Sequence, residues 1–128
     1  MSRAVHHIAL GARDVEEVAA FYRQVFDLRE VDRHVDEGGR LRSIWLDMNG
    51  PILMVERSDD KPRRVDGVGA GPFLIAMSVT PDERPDLEER LERFGAPIEE
   101  RTDFTSYARD PEGNRVAISH YPQAASQS

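Results

Sequence analysis

Apolar and polar positions follow two periods along this chain. Val5 to Leu10 is a short apolar run interrupted by His6 and His7, and it predicts a buried strand. A Gly11-Ala12-Arg13 loop follows, and then Asp14, whose carboxylate can accept the free amide protons of a helix's first turn. Glu16 and Glu17 place negative charge where the helix dipole favours it. Val15, Val18, Tyr22 and Val25 recur at helical spacing with Phe21 and Phe26 alongside, so one apolar face should pack on a sheet. Three strands are then expected, at about Leu28–Val35, Leu41–Met48 and Ile52–Glu56. Glu37-Gly38-Gly39 and Asn49-Gly50 supply the reversals between them. In the middle strand Ile44, Leu46 and Met48 alternate with Ser43, Trp45 and Asp47, giving the two faces different characters.

Ser58 to Gly71 is polar, with Pro62 and three glycines, and reads as a linker or a solvated loop. The order of elements then restarts. Phe73 to Val79 predicts a strand, and Thr80 or Asp82 caps a helix from about Glu83 to Phe94 that ends at Gly95. Strands at Ile98–Glu100, Thr105–Arg109 and Arg115–Tyr121 complete the series, the last two joined by an Asp110-Pro111-Glu112-Gly113-Asn114 turn. The tail after Pro122 is small and polar and is expected to fray. The chain thus divides into a β-α-β-β-β module at about 5–57, a linker at about 58–71, a second β-α-β-β-β module at about 72–121 and a tail at 122–128, within one domain spanning residues 1–128. His7-Ile8-Ala9-Leu10 corresponds to Leu74-Ile75-Ala76-Met77 in this repeat.

Charge narrows the function. The formal net charge is -7, which argues against a sequence-independent grip on nucleic acid and disfavours an anionic membrane surface. The absence of cysteine excludes disulfides, thiolate ligands and thiol nucleophiles. No apolar run approaches the ~20 residues that span a bilayer, and no signal-peptide core follows Met1-Ser2-Arg3-Ala4, so a cytoplasmic protein is expected. No phosphate-binding glycine loop, dinucleotide fingerprint or nucleophile turn is present.

The order of modules, together with His6-His7-Ile8-Ala9-Leu10 and Asp14, Phe21-Tyr22, Trp45-Leu46-Asp47, Ile52-Leu53-Met54-Val55-Glu56 and the Asp110–Asn114 turn, resembles the vicinal oxygen chelate superfamily. This is the glyoxalase/bleomycin resistance protein/dioxygenase family. The resemblance runs from about residue 5 to residue 121 and implies an α+β fold: two βαβββ modules forming a cupped mixed β-sheet around one cavity, often in a homodimer. One departure is Asp27, where the family usually has glycine after the first helix; aspartate tolerates the left-handed conformation better than most residues.

Metal-dependent members of that family hold a divalent ion with His, Glu or Gln side chains, one from each of four strands, and use it to polarise a substrate carbonyl or a pair of oxygens. Carried onto this sequence, the four positions fall on His7, on Leu53 (or Met54 with a slip of one), on Leu74 (or Ile75) and on Ala117. Three of the four are apolar, and one imidazole cannot fix an ion against water, so no metal cofactor is expected. Glu56 and His120 are salvage candidates, each needing an irregularity in its strand to turn inward. His7 remains a ligand contact or a general base, since imidazole exchanges a proton under physiological conditions; its structural alternative is a half-buried hydrogen-bonded histidine. His6 is expected on the opposite face. Trp45 and Tyr107 offer a flat apolar surface with a polar tip and are candidate ligand contacts or core. Ser43 and Asp47 accompany Trp45, and Ser119 accompanies Ala117, while Arg109 is expected to support the Asp-Pro turn. A metal-free small-molecule binder resembling the bleomycin-resistance branch is the leading reading. A glyoxalase-like lyase or isomerase, or a dioxygenase, with a rearranged divalent-metal site is the alternative, and a subunit with the fold but no pocket function is a third.

Overall fold

The computed structural model describes residues 2–60 and 74–125. Two compact units divide the chain: the described residues up to Asp60, and those from Leu74 onward. Each is one β-α-β-β-β module.

In the first unit, β1 (His7–Ala12), α1 (Val15–Phe26), β2 (Arg29–Val35), β3 (Leu41–Asp47) and β4 (Ile52–Arg57) form a sheet of order β1-β4-β3-β2 with α1 packed on β3 and β4. β1 and β4 run parallel, and the other pairs are antiparallel. β1 begins and ends two residues later than the apolar run suggested. Its limits are set by β4, which pairs Gly11 with Glu56 and Ala12 with Arg57, so the expected loop residues belong to the ladder. α1 starts as its sequence predicts, with the Asp14 carboxylate accepting Glu17 N at 3.0 Å. It ends at Asp27, which takes the left-handed conformation at φ 58°. Val15, Val18, Ala19, Phe21, Tyr22 and Val25 are buried on the helix, and Ile44, Leu46, Leu53 and Val55 are wholly buried on the sheet beneath it. Burying side chains of this size contributes roughly 1.5–3 kcal/mol each.

The second unit repeats the plan with β5 (Leu74–Ser78), α2 (Arg84–Arg93), β6 (Glu100–Arg101), β7 (Thr105–Arg109) and β8 (Arg115–Ser119) in the order β5-β8-β7-β6. β5 and β8 are parallel. Of the two caps expected for α2, Thr80 is the one used: Glu83 N donates to Thr80 Oγ1 at 3.2 Å and Thr80 N donates to Glu83 Oε1 at 2.8 Å. This reciprocal pair is a capping box one turn ahead of the helix, which then begins with Pro85 in its first turn. The expected strand at Ile98–Glu100 is reduced to two residues, and β8 stops at Ser119, the residue opposite the first residue of β7. Of the predicted linker, residues 61–71 lie outside the described residues. The first part of the predicted tail is anchored: Gln123 N donates to His120 O at 2.8 Å, and Gln123 O lies 2.6 Å from His120 Nδ1.

Arg84 ties this unit together. Its side chain is 15% exposed. Its guanidinium donates to Ser106 Oγ (2.9 Å), Asp103 O (3.0 Å), Thr102 O (2.9 Å) and Thr105 O (3.0 Å), and it lies 3.1 Å from His120 Nε2. Glu88, one turn along α2, accepts from Ser106 Oγ and from Arg101 Nη2 at 2.9 Å. Burial works to raise the Glu88 carboxyl's pKa, but the bonds from Arg101 and Ser106 outweigh it and hold the pKa below the ordinary value.

Arg84→Met should therefore cost on the order of 3 kcal/mol in urea unfolding at neutral pH, because the carbonyls and Glu88 lose their partner. A group whose pKa is lowered on folding contributes stability above its unfolded pKa and loses it as pH falls through the lower folded value. Unfolding scans below about pH 4.5 should show a shallower acid loss in Glu88→Gln than in the unaltered protein.

Candidate functional site

Each sheet spends one face on its helix and turns the other away from it. Strand pleating decides which residues reach that second face. In the first unit the face opposite α1 carries His7 and Ala9 on β1, Ile52, Met54 and Glu56 on β4, and Ser43, Trp45 and Asp47 on β3. The registers His7↔Ile52, Ala9↔Met54 and Met54↔Trp45 put these side by side. In the second unit Ser106 marks the α2 side, since its hydroxyl meets Arg84 and Glu88 of α2. Ala108, Val116 and Ile118 share that side through the register. Leu74, Tyr107, Arg115, Ala117 and Ser119 therefore stand together on the face turned away from α2.

This placement separates one expected residue from the alternative beside it. Leu53 is wholly buried under α1, and it is Met54, one residue on, that shares the His7 face. Glu56 does share that face, without any bulge. It pairs with Gly11 while His7 pairs with Ile52, so the two lie four residues apart along the ladder, about 13 Å of strand. His120 is turned to the α2 side, and both its nitrogens are engaged. A carbonyl only accepts and an arginine only donates, so the contacts to Gln123 O and Arg84 fix its proton on Nδ1 and leave no lone pair for a metal. His6 is not on the opposite face of a strand. It precedes β1, exposed, with its Nδ1 2.9 Å from His7 Nδ1 and the two rings edge-to-face.

The other candidates divide by what already holds them. Asp47 caps the hairpin turn, accepting Asn49 N at 2.9 Å and Gly50 N at 3.2 Å. Arg109 supports the Asp-Pro turn through Gly113 O at 3.0 Å and pairs with Glu99 at 3.1 Å. Asp110, buried, accepts Glu112 N, Asn114 N and Asn114 Nδ2, all at 2.9 Å. Ser119 Oγ meets Thr105 Oγ1 at 2.9 Å. Ala117 is wholly buried between Ala76 and Tyr107, and Leu74 is 39% exposed at the sheet edge.

Trp45 differs from these. Its ring lies 5.0 Å from that of His34, and its indole Nε1 is buried without a hydrogen-bond partner among the described residues. His34 Nε2 is likewise buried; Asp32 Oδ2 lies 3.2 Å away but outside hydrogen-bonding geometry. Buried polar atoms are nearly always satisfied, so these two unpartnered atoms stand out among the described residues. His34 belongs to β2. Its link to Trp45 comes from the β2–β3 register, in which His34 pairs with Ser43 and Asp32 with Trp45.

The described residues at these positions do not offer a divalent ion a set of ligands. His7 is flanked on its face by Ile52 and Met54, and Leu74 and Ala117 occupy the corresponding places in the second unit. Among the described residues no group of three or more His, Cys, Asp or Glu side chains could hold a metal.

The match to known families follows the repeat. The Glyoxalase/Bleomycin resistance protein/Dioxygenase superfamily matches over residues 4–118. The chain belongs to that superfamily. No curated protein sequence matches it. Among solved structures of the superfamily's fold, a mutant of the fosfomycin resistance protein FosX from Listeria monocytogenes, complexed with Mn(II) and 1S,2S-dihydroxypropylphosphonic acid, has a TM-score of 0.77 at 18% identity, covering 94% of this chain and 93% of its own. Lactoylglutathione lyase from Agrobacterium tumefaciens has a TM-score of 0.68 at 22% identity, covering 94% and 95%. TioX from Micromonospora sp. ML1 has a TM-score of 0.65 at 20% identity, covering 93% and 99%. Identities this low establish the superfamily's fold and leave its chemistry in this chain to the residues above. No helix among the described residues is long and apolar enough to cross a membrane.

The two faces should respond differently to truncation. Leu53→Ala is expected to cost about 2–5 kcal/mol in equilibrium unfolding. Leu74→Ala should cost well under half of that, because its side chain is already partly in solvent.

Proposed function

We propose that this member of the superfamily is a metal-free small-molecule-binding protein, closest in use to the bleomycin-resistance branch. In this reading it acts as a cytoplasmic homodimer that holds its ligand against the sheet faces turned away from the helices. The observation that carries the reading is what stands at the positions where the family's metal-dependent members hold their ion: His7 and Met54 in the first unit, Leu74 and Ala117 in the second. A lone imidazole cannot compete with water for a divalent ion, whereas apolar side chains with a few polar contacts suit an organic ligand.

The roles follow from the chemistry of each group. Met54 and Leu74 supply apolar contact, and Ala117 lies wholly buried on the same face as Leu74. Trp45 supplies a flat surface and an unused N–H donor, and Tyr107 a second ring with a hydroxyl. His7 supplies a polar edge and can exchange a proton if a reaction occurs there. Solved relatives of the fold include a FosX complex with Mn(II) and a phosphonic acid; in this chain the ligand is held by the protein alone.

The test is thermal unfolding of chelator-stripped protein with and without Ni, Zn, Mn and Fe(II), then with small aromatic compounds. No metal should shift the transition, whereas a bound aromatic at about 100 times its Kd should add roughly 2.7 kcal/mol, several degrees for a chain of this size. A saturable metal shift abolished by His7→Ala would replace this reading with the metal-dependent lyase or dioxygenase one.

A further inference from the structure

The connection between β3 and β4 turns through Asn49 and Gly50, both exposed. Asn49 takes the left-handed conformation at φ 62°, and Gly50 stands at φ 131°. A Cβ built at Gly50 would meet nothing within 4 Å, so the turn is open on that side. The Asn49 carboxamide makes no hydrogen bond to another described residue. What holds the turn is Asp47, whose Oδ1 accepts Asn49 N at 2.9 Å and Gly50 N at 3.2 Å, both bonds exposed to solvent.

An asparagine side chain is lost when the next residue's backbone nitrogen swings onto its carboxamide carbon. Glycine obstructs that approach least, because it has no side chain and the widest choice of backbone angles. Asn49 has glycine after it, a carboxamide in water and one exposed carboxylate restraining the nitrogen. The chain's other asparagine, Asn114, is held in the opposite way. Its Nδ2 donates to Asp110 Oδ2 and its N to Asp110 Oδ1, both at 2.9 Å. The residue after it is Arg115, buried and fixed in the ladder between Leu74 and Arg109.

We propose that Asn49 is a site of spontaneous deamidation, converted to aspartate and isoaspartate through attack by the Gly50 nitrogen and held in check by Asp47. Gly50 N first leaves the Asp47 carboxylate and gives its proton to solvent as it attacks Asn49 Cγ. The new N–Cγ bond closes a succinimide ring, and the Cγ–Nδ2 bond breaks, the amide group taking a proton and leaving as ammonia. Water then opens the ring at either carbonyl. One opening leaves an ordinary backbone with an aspartate side chain, which suits the left-handed turn as Asp27 does at φ 58°. The other leaves isoaspartate, which puts the side chain's methylene into the backbone. That lengthens the connection by which Asp47 stands opposite Ile52 and Trp45 opposite Met54, and hairpin register depends on the length of the turn.

The test is prolonged incubation of the full chain at neutral and mildly alkaline pH, followed by tryptic digestion and mass spectrometry, with isoaspartate read by an isoaspartyl methyltransferase. Peptide 43–57 holds Asn49 and peptide 110–115 holds Asn114. Peptide 43–57 should gain the mass of an amide exchanged for an acid, faster at the higher pH, and accept methyl groups, while peptide 110–115 stays unchanged. Asp47→Ala, which frees the Gly50 nitrogen, should convert several-fold faster. If that variant does not fold, the unaltered chain in urea, where the same bonds are gone, takes its place and should also convert several-fold faster than the folded chain. Conversion of Asn114 at the rate of Asn49, or none at Asn49, overturns the assignment. A rate in Asp47→Ala equal to or below that of the unaltered protein overturns the restraint by Asp47.

Discussion

A pleated strand sends successive side chains to opposite faces, and in both units one face is already committed to a helix. That constraint settles what every strand residue can do here. On β4, Leu53 and Val55 are the floor under α1, so Met54 and Glu56 are the only residues between Ile52 and Arg57 that share Ile52's free face. On β8, Val116 and Ile118 lie on the α2 side, which leaves Arg115, Ala117 and Ser119 for the other. Even the single-residue bulge after Glu30 matters, because it restores Asp32 and His34 to the Trp45 face.

Much of the fold was legible wherever the sequence carries a period. β3 alternates Ile44 and Leu46 with Ser43, Trp45 and Asp47, so its two faces are visible without coordinates. The Asp14 cap and the left-handed Asp27 follow from side-chain chemistry at helix ends. β4 is different: Ile52 to Val55 is uninterrupted apolar sequence, and nothing local says whether Leu53 or Met54 faces the helix. The registers with β1 and β3 separate them. β8 is buried along most of its length and shows no alternation, so its facing rests on Ser106 and the α2 network across the ladder.

The site was less legible than the fold, because its distinguishing features are vacancies in hydrogen bonding. A sequence shows that Trp45 exists. It cannot show that its indole N–H lacks an acceptor among the described residues. The same holds in reverse for His120, which looks available in sequence and is occupied by Arg84, 36 residues away along the chain, and by Gln123.

Arg84 also shapes what can change around it. Three of its four hydrogen-bond acceptors near the β6–β7 connection are backbone carbonyls, of Thr102, Asp103 and Thr105. A carbonyl is present whatever side chain is attached, so this grip is indifferent to the identity of Asp103, whose side chain takes no part in it. The turn can therefore vary there without releasing the two-residue strand it follows. Evolutionary freedom in this segment depends on an arginine in a different element staying fixed.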